Sequence, residues 1–587
     1  MLQFLQLINS LKNMQQNYDV IVVGGGHAGT EAALASARTG SRTLLITQNI
    51  DTIGQMSCNP AIGGIGKSHL VAEIDALGGI MARAADRAAI HKRLLNSSKG
   101  QAVHAKRFQS DRQTYRLSVQ QFIEQQDNLN VLQQNVIDLI VKDSQVIGVI
   151  TVLNLNIYAK SVILTTGTFL GGKIFIGTET KILAGRAGDK SAIKLAQRLR
   201  KLPFHIRRLK TGTPPRIAGK SLDFNKFQLQ KSDVNVAQMS FLIEDYTALT
   251  QRNCYITHTN KKTHKIIADN LQYSAIYSGT IDSLGPRYCP SIEDKVKRFS
   301  NKESHQMFIE PEGLYTQEIY ANGISTSLPF AIQIEFVRSI SGFENAHITR
   351  AGYAIEYDFL DPQDLNPTLS SKILDNLFLA GQINGTTGYE EAAAQGLLAG
   401  LNASRTAQNL SHWYPKRNEA YIGVLVDDLV TQGTTEPYRM FTSRSEYRLT
   451  LREDNADARL TEIAYKLSLI DDQRYQAWQK KSRQIQKIKQ QLKKIYFLPK
   501  NEATEKMSLI IGEKIQRECN AFELLKRANV KFIHLQQQYS QLQNIPDLVK
   551  QQIEIKAKYE GYITCLLYTS PSPRDKIHDL VCRLVLY

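Results

Sequence analysis

A cysteine inside a glycine-rich run is the residue of this chain best placed to do chemistry. Cys58 lies in the run 54–68, which follows a first glycine loop at 24–29. A thiol beside a nucleotide cofactor can act as a nucleophile or a redox group, whereas a cysteine packed in a core cannot. The residues alone leave two interpretations of Cys58, a reactive thiol beside a cofactor and a packed structural cysteine.

The first glycine loop has the G-x-G-x-x-G pattern of a dinucleotide-binding turn. It follows an apolar strand at 18–23 and opens a helical pattern at 31–35. Glycines allow a tight turn and a close approach to a pyrophosphate, which then sits at the helix N-terminus. The flanking strand and helix make the motif specific. The predicted cofactor contacts are Gly24, Gly25, Gly26, His27, Ala28 and Gly29.

The residues after the next predicted strand bear on the choice of cofactor. About twenty residues past such a loop, an acidic residue normally binds the ribose of NAD. Thr47, Gln48 and Asn49 stand there instead, which argues against a plain NAD-dependent dehydrogenase. Strand-and-glycine pairs return at 161–168 and 377–382, as expected of a flavin domain assembled from distant parts of the chain.

The second glycine run ends in Gly66-Lys67-Ser68, as a phosphate-binding P-loop does. That motif also requires a glycine at the position of Ala61, so the pattern excludes a P-loop GTPase or ATPase. It predicts instead a tight turn that leads into a helix at 70–74.

A second cysteine lies between prolines and charges. Pro286 and Pro290 favour an extended or turned loop around Cys289. Arg287, Lys295 and a helix N-terminus after this loop would each favour the thiolate, the reactive form of the side chain. We predict that Cys289 is functional, whereas Cys254 lies on a strand-like run and is predicted to be packed.

The element pattern predicts an α/β fold with a parallel sheet, because strand and helix signals alternate from about 18 to 200. A β-rich excursion is predicted near 95–155, and a proline-glycine break at 210–216 marks a boundary. The predicted divisions are a leader at 1–17, a first nucleotide-binding part at 18–212, an inserted α/β domain at 213–343, a second part at 344–410, a helical domain at 411–563 and a tail at 564–587.

Basic residues exceed acidic residues by 17, which favours a polyanionic partner. Residues 461–563 hold 19 basic and 11 acidic side chains, about half of this excess. Between Lys480 and Lys494 there are seven basic residues and no acid, with Ile485, Ile488 and Leu492 on one helical face. A nucleic-acid contact and a merely solvated helix face both fit this pattern.

Composition also limits the compartment and the class of site. No run of eighteen apolar residues exists, so we expect no membrane span, and 1–16 fit neither a signal peptide nor an import sequence. The six cysteines, without metal spacing, suit a reducing cytoplasm and make a zinc site improbable.

Several of these segments together resemble the GidA family of flavin enzymes, which modify the wobble uridine of certain tRNAs. The resemblance runs from about 18 to 563, and its most specific motifs are 24–31, 55–67, 285–295, 388–393 and 436–444. It implies a Rossmann-type, glutathione-reductase-like FAD domain with an inserted α/β domain and an α-helical C-terminal domain.

The resemblance also implies a chemistry. FAD, NADH and methylene-tetrahydrofolate would serve to add a carboxymethylaminomethyl or aminomethyl group to carbon 5 of the uridine, with nitrogen from glycine or ammonium. Cys58 and Cys289 match the two functional cysteines: one thiolate would add to carbon 6, and the other would act in proton transfer or cofactor handling. Which cysteine takes which role stays open.

By position, the resemblance adds Val136 and Gln382 to the FAD contacts. The NADH contacts that it implies are Gly285, Pro286, Arg287, Tyr288, Pro290, Ser291, Ile292, Glu293, Asp294, Lys295, Val296, Lys297, Arg298 and Phe299. No metal is implied. The implied partners are the anticodon region of tRNA, a second copy of the chain in a homodimer, and a GTPase subunit in a heterotetramer.

The tail departs from the family, whose members continue past 558–563 with a further helical stretch. Residues 564–587 show no helical period, and 565–575 resemble translated sequencing adapter. We expect the tail to be an artefact. We also expect a chain with this tail to bind FAD but to be impaired in its interaction with tRNA or with its partner.

Three other functions compete with this interpretation. A folate- and FAD-dependent tRNA 5-methyluridine methyltransferase lacks the long helical part seen at 410–563. A disulfide reductase would need a C-x-x-C-like pair, which this chain lacks. An RNA-binding scaffold with a structural FAD stays open.

Overall fold

The structure is a computed structural model that describes residues 17–242, 246–281, 283–285 and 290–569. Within these residues, no helix is long and apolar enough to cross a membrane. The strands are β1 (Tyr18–Val23), β2 (Thr43–Thr47), β3 (Ala61–Gly63), β4 (Ala89–Leu95), β5 (Ala105–Ser110), β6 (Leu129–Gln133), β7 (Val136–Lys142), β8 (Gln145–Thr151), β9 (Asn156–Leu164), β10 (Lys173–Ile176), β11 (Thr180–Ile182), β12 (Ala184–Arg186), β13 (Asp189–Lys190), β14 (Ile206–Thr213), β15 (Arg216–Ala218), β16 (Gln228–Gln230), β17 (Cys254–His258), β18 (Gln306–Pro311), β19 (Glu318–Asn322), β20 (Ile348–Arg350), β21 (Tyr353–Leu360), β22 (Leu377–Leu379), β23 (Tyr496–Phe497) and β24 (Cys519–Asn520).

The α-helices alternate with these strands in the first part of the chain and dominate its last part. They are α1 (His27–Arg38), α2 (Lys67–Ala76), α3 (Met81–Ala88), α4 (Arg112–Glu124), α5 (Ile193–Leu199), α6 (Lys261–Asp269), α7 (Ile292–Arg298), α8 (Phe330–Arg338), α9 (Tyr389–Ala407), α10 (Tyr421–Asp427), α11 (Ala456–Lys466), α12 (Asp472–Lys494), α13 (Glu502–Ile511), α14 (Ala521–Leu524), α15 (Phe532–Gln538) and α16 (Asp547–Thr569).

The predicted parallel sheet is present at the centre of the first part. Strands β6, β2, β1 and β9 lie side by side in parallel, and β22 joins the carboxyl half of β9. In this register Val22 pairs with Leu45 on one side and with Ile163 on the other. Strand β2 is buried along its whole length, as are the carboxyl halves of β1 and β9, because both faces of a parallel sheet are covered.

Helices α1 and α9 pack tightly against each other beside β1 and β9. Two glycines of α9 allow this approach: a Cβ at Gly396 would lie 2.0 Å from the Ala28 carbonyl oxygen, and one at Gly400 would lie 2.2 Å from that of Ala32. Helix α9 comes from residues that follow the inserted segment, so this contact joins the two distant parts of the nucleotide-binding domain.

The predicted β-rich stretch near 95–155 is more mixed than expected. It contains helix α4, and the run 131–140 is divided between β6, which pairs in parallel with β2, and β7, which pairs antiparallel with β8. The chain turns at Gln134 and Asn135 because the two halves of this run belong to strands of opposite pairing.

The segment between β14 and β21 forms a second body with its own core. Its six-stranded sheet has the order β16-β17-β18-β19-β15-β20, and α6, α7 and α8 accompany it. The apolar core runs from Ile217 to Ile348 and includes Phe336 and Phe343. The antiparallel pair β14–β21 bounds this body and belongs to a separate four-stranded sheet of order β11-β10-β21-β14. The predicted limits of 213 and 343 stay a prediction.

The helical C-terminal part has a separate core, with α12 and α16 packed together. Ile485 and Leu492 are buried in it, as the helical spacing predicted. The expectation that the helical pattern ends before residue 564 is wrong, because α16 continues without a break to Thr569. Val549, Ile553 and Ala557 pack this helix against the core, and the turns after Ala557 lengthen the helix.

Candidate active-site cleft

A large cleft opens at the carboxyl ends of β1 and β2, where ligands bind in open parallel sheets. Its volume is about 670 Å³. Its lining includes five of the six predicted glycine-loop residues, together with Val136, Gln382 and Cys58. Residues that the sequence separates by more than 350 positions therefore share one cavity.

The glycine turn fits a pyrophosphate group. Gly24 has φ +116°, and a Cβ there would lie 2.7 Å from the Thr165 carbonyl oxygen. A Cβ at Gly29 would overlap the Gly24 carbonyl oxygen, at 1.7 Å. Gly26, in contrast, faces open space with no atom within 4 Å, and it leaves the N-terminus of α1 without a side-chain cap. The uncapped N–H groups at a helix N-terminus favour an anion.

The end of β2 supplies neutral groups to the same cleft. Gln48 and Asn49 line it, as does Gln134 from the end of β6. The Gln134 Oε1 atom is buried and has no hydrogen-bond partner among the described residues. Unpaired buried polar atoms of this kind are satisfied when a ligand with donor groups binds. The adenosine half of a dinucleotide supplies such donors, so these residues fit that group.

His27 forms the first turn of α1 and is buried against two aromatic rings. Its ring stacks on Tyr389 at a centroid distance of 4.5 Å and lies 5.7 Å from Tyr115. Burial lowers the pKa of His27 to about 4, although the Glu390 carboxylate opposes this shift. The imidazole is therefore neutral at physiological pH, and its buried Nε2 atom has no partner within the described chain.

The second glycine run does not bind phosphate through Lys67. After a left-handed Gly66 the run enters α2, as predicted. The buried Lys67 ammonium instead pairs with Glu390 at 3.0 Å and with Glu391 at 2.7 Å. Burial would raise the pKa of Glu390, but Lys67 and the backbone N–H groups of Glu390 and Gly63 outweigh this effect and lower it. Lys67 is thus a structural cation that joins α2 to the N-terminus of α9.

Cys58 lies in the cleft with its sulfur close to the inserted body. Its Sγ is 3.0 Å from the hydroxyl oxygen of Tyr320 on β19, and its side chain is half-buried. Its backbone N–H donates to the Tyr389 hydroxyl at 2.6 Å, and its carbonyl accepts from Arg112. The residue is held from three elements and is accessible from the cleft, which distinguishes it from Cys254, buried in β17 as predicted.

Two arginines and one glutamate surround Tyr320. Glu312 Oε1 accepts from Arg112 at 3.0 Å and from Arg216 at 2.7 Å. The Arg216 guanidinium lies 4.5 Å from the centroid of the Tyr320 ring. Burial would raise the pKa of Glu312, but the two guanidinium groups outweigh it and hold this pKa below its usual value. Together these three ionic groups carry one net positive charge.

The predicted NADH segment lies apart from the residues that line the cleft. Pro286, Arg287, Tyr288 and Cys289 lie outside the described residues, so their predicted roles stay predictions. Gly285, Ser291 and Asp294 line a second, much smaller cavity of about 20 Å³ with the buried Lys210. Thr211 and Gly212 line both cavities, so the small cavity lies next to the cleft.

Most other described residues of this segment have structural contacts in or around α7. Ser291 caps the helix in a reciprocal pair with Asp294, as its position suggested. Ile292 and Val296 are buried in the second core, and Glu293 accepts hydrogen bonds from Thr326 and Ser327. Lys295 donates to the Gly323 carbonyl, and Lys297 lies over the Tyr277 ring. Arg298 pairs with Asp294, Phe299 meets the His305 ring edge to face, and Pro290 precedes the cap.

The residues around Cys58 that sequence analysis missed are Arg112, Arg216, Glu312, Tyr320 and Tyr389. Tyr389 lies in the motif 388–393, and Arg216 follows the proline pair of the predicted boundary, so sequence analysis could have found both residues. Tyr320 is 262 positions from Cys58 and belongs to no recognisable pattern.

Comparison with known proteins agrees with this architecture. The family model described as "Glucose inhibited division protein A" matches 19–411, and the model "tRNA modifying enzyme MnmG/GidA C-terminal helical domain" matches 472–564. Two crystal forms of Aquifex aeolicus GidA superpose with a TM-score of 0.86 at 44% identity. The alignments cover 94% of this chain and 89% and 90% of those chains.

The matched segments include the glycine turn, the Cys58 run, α9 and the basic helix α12. Both family models and both superpositions point to the same group of proteins. The chain therefore belongs to the GidA family of FAD-dependent tRNA-modifying enzymes.

Proposed function

We propose that this chain adds a carboxymethylaminomethyl or aminomethyl group to carbon 5 of the wobble uridine in certain tRNAs. Methylene-tetrahydrofolate would supply the carbon, NADH the electrons, and a GTPase subunit would be the partner in a heterotetramer. Family membership supports the class of reaction. The observation that carries the finer proposal is that the Cys58 thiol opens into the same cleft as the glycine turn.

Different residues of the cleft would contact different parts of FAD. The turn 24–29 and the N-terminus of α1 would hold the pyrophosphate. Gln48, Asn49, Gln134 and Val136 would surround the adenosine half, and Gln382 would lie by the flavin ring. When bound, FAD would supply two-electron redox chemistry to the reaction.

Cys58 is proposed to activate the uridine. Carbon 5 of uridine is a poor nucleophile until a nucleophile adds to carbon 6, which sends the electron pair of the C5–C6 double bond into an enolate. The Cys58 thiolate would form that C6–S bond. Carbon 5 would then attack a folate-derived one-carbon electrophile, and loss of the C5 proton with departure of the thiolate would restore the double bond.

Cys289 is proposed as the second functional cysteine, in proton transfer or cofactor handling, and the two roles can be exchanged without changing the balance of the reaction. The segment 285–299 is proposed to handle NADH, because its described part borders the small cavity of Lys210 next to the cleft.

Helix α12 is proposed to contact tRNA. Lys480, Arg483, Lys487 and Lys494 are exposed and recur at spacings that place them on one helix face, opposite the buried Ile485 and Leu492. Phosphate contacts from this face would make the affinity for tRNA fall as salt rises.

The proposed role of the thiols is tested with purified variants. Cys58→Ala should retain bound FAD, because the Cys58 sulfur hydrogen-bonds with Tyr320 and Tyr320 is not among the residues predicted to bind FAD. Its rate of tRNA modification should fall at least about a hundredfold. Cys565→Ala, which removes an exposed cysteine on α16, is the control and should keep its activity. Full activity in both Cys58→Ala and Cys289→Ala would contradict the proposal.

An anaerobic titration with NADH separates this enzyme from a scaffold that carries FAD as a structural group. Loss of flavin absorbance on addition of NADH supports the redox role. Flavin absorbance that stays unchanged supports the scaffold.

A further inference from the structure

Tyr320 is the described side chain that approaches the Cys58 sulfur most directly, and nothing in the sequence motifs assigns it a role. Its hydroxyl oxygen lies 3.0 Å from Sγ, within the range of a hydrogen bond that involves sulfur. A phenol O–H is a much better donor than a thiol S–H, so the hydroxyl donates when the sulfur is ionised. The contact therefore favours the sulfur in its nucleophilic form.

The position of Tyr320 is set by its neighbours on the inserted body. Its side chain is 2% exposed, and β19 pairs with β15 so that Tyr320 lies directly opposite Arg216. Arg216 stacks on the phenol ring while it donates to Glu312, Thr213 and the Pro214 carbonyl. With its guanidinium held in this way, Arg216 fixes the ring and adds positive charge behind the hydroxyl.

The backbone of Cys58 is fixed by the same cluster. Arg112 donates to the carbonyls of Met56 and Cys58 and also pairs with Glu312, the carboxylate shared with Arg216. Glu312 therefore ties the loop that carries the thiol to the strand pair that carries its donor. Both sides of the Cys58–Tyr320 contact depend on one buried ionic group.

The other titratable groups that face Cys58 in the described chain do not supply this donor. The Tyr389 hydroxyl oxygen accepts the Cys58 N–H, and the Tyr353 hydroxyl oxygen accepts the Ala187 N–H. Burial raises the pKa of both phenols, so both are neutral and add no charge beside the sulfur. Arg186 donates to the neighbouring Ser57 hydroxyl and pairs with Asp189.

From this geometry we propose that Tyr320 is a positioning residue for the reaction: it donates a hydrogen bond to the Cys58 thiolate and orients Sγ into the cleft. This inference rests on the proposed function of Cys58. It also assigns the inserted body a direct part in the chemistry of a thiol that belongs to the nucleotide-binding domain.

The test measures the rate of iodoacetamide labelling of Cys58 as a function of pH. Tryptic cleavage after Arg42 and Lys67 isolates a peptide, 43–67, that contains Cys58 as its single cysteine, so mass spectrometry reads this site alone. Tyr320→Phe keeps the ring and its packing against Arg216 but removes the hydroxyl. Tyr255→Phe, which removes a hydroxyl from β17 in the same body, is the matched control.

We expect Tyr320→Phe to slow labelling about tenfold at pH 7 and to shift the midpoint of the profile to higher pH, because a hydrogen bond to an ionised acceptor is lost. The limiting rate at high pH should not change, and the control should follow the unmodified protein. An unchanged profile overturns the proposal. A rate lowered equally at every pH also overturns it, since that result reports access and not ionisation.

Arg216→Lys supplies a second variant that keeps the charge but loses the planar stack on the ring. Its profile should move in the same direction by a smaller amount, and profiles unchanged in both variants overturn the proposal. Labelling needs no tRNA, so this result is independent of the modification assay. Absent modification in the unaltered protein would instead count against the proposed function.

Discussion

At the scale of single residues, the glycines of the turn have two different roles: some are required by the fold, and one leaves space for the ligand. Gly24 and Gly29 would each clash with protein backbone if they carried a Cβ, whereas Gly26 would not. The G-x-G-x-x-G pattern predicted the turn as a whole but could not separate these roles. The clash at Gly24 depends on Thr165, which follows β9, and the clash at Gly29 depends on how the turn folds back onto the Gly24 carbonyl. In the same way, Cys58 was visible from its glycine-rich surroundings, whereas its contact Tyr320 was not.

Gly26→Ala tests the ligand-facing role. Gly26 has φ −78°, which alanine adopts without strain, so we expect the thermal stability of the FAD-free protein to stay within about 1 °C. The added methyl group would point into the cleft, and overpacking of about 1–3 kcal/mol would weaken FAD binding about tenfold to a hundredfold. Fluorescence titration with FAD measures the affinity.

Gly561→Ala, at another open position, is the control for that experiment and should bind FAD normally. An unchanged FAD affinity in Gly26→Ala would show that the cofactor does not approach this turn.

At the scale of elements, α1 is tied to its neighbours by a buried acid from the recognised glycine motif. Glu31 Oε1 accepts from the backbone N–H groups of Ile80 and Met81 at the start of α3, at 2.9 and 3.0 Å. The sequence predicted the strand and helix around this motif from periodicity alone. Local patterns failed at the division between β6 and β7, which follows from pairing with different strands. They also missed the last turns of α16, where residues 561–565 are mostly exposed and continue the helix beyond its packed positions.

Glu31 makes stability depend on pH. Burial raises its pKa from 4.5 to about 7, against the opposing effect of Arg38. Between these values the folded state holds a proton that the unfolded state has lost, so stability falls as pH rises through this window and levels off above it. The effect amounts to up to about 3 kcal/mol. Glu31→Gln should remove this slope, as measured by urea unfolding between pH 5 and pH 8.

The matched control for Glu31 is Glu335→Gln, at an exposed position of α8, which should keep the slope of the unaltered protein. A Glu31→Gln variant whose stability still falls equally over this range would assign the slope to other groups.

At the scale of the whole molecule, the helical domain is attached to the nucleotide-binding domain by polar contacts. The Tyr559 hydroxyl accepts from the Ala102 N–H at 3.1 Å, Arg474 pairs with Asp75 at 2.7 Å, and Arg459 pairs with Glu73 at 2.9 Å. The charge count predicted that this domain is basic, and the structure shows which side chains share one face. The charge count could not predict how this domain is attached, because the contacts join residues that lie far apart in the sequence.

The double variant Lys480→Glu with Lys487→Glu tests the basic face of α12. We expect weaker tRNA binding and a plot of log affinity against log salt that is shallower by about 1.5, since each lost phosphate contact removes about 0.7–0.9. Lys261→Glu with Lys265→Glu on α6 makes the same charge change elsewhere and should bind nearly normally. Equal loss in both variants would point to net charge and not to a contact surface.

The central claim, that this chain modifies carbon 5 of the wobble uridine through Cys58, is tested most directly by nucleoside mass spectrometry of tRNA. The measurement uses a strain that lacks its own copy of this enzyme and carries either the unaltered gene or Cys58→Ala. We predict that the unaltered gene restores the aminomethyl-type uridine derivatives and that Cys58→Ala does not. Full restoration by Cys58→Ala, or no restoration by the unaltered gene, would contradict the claim.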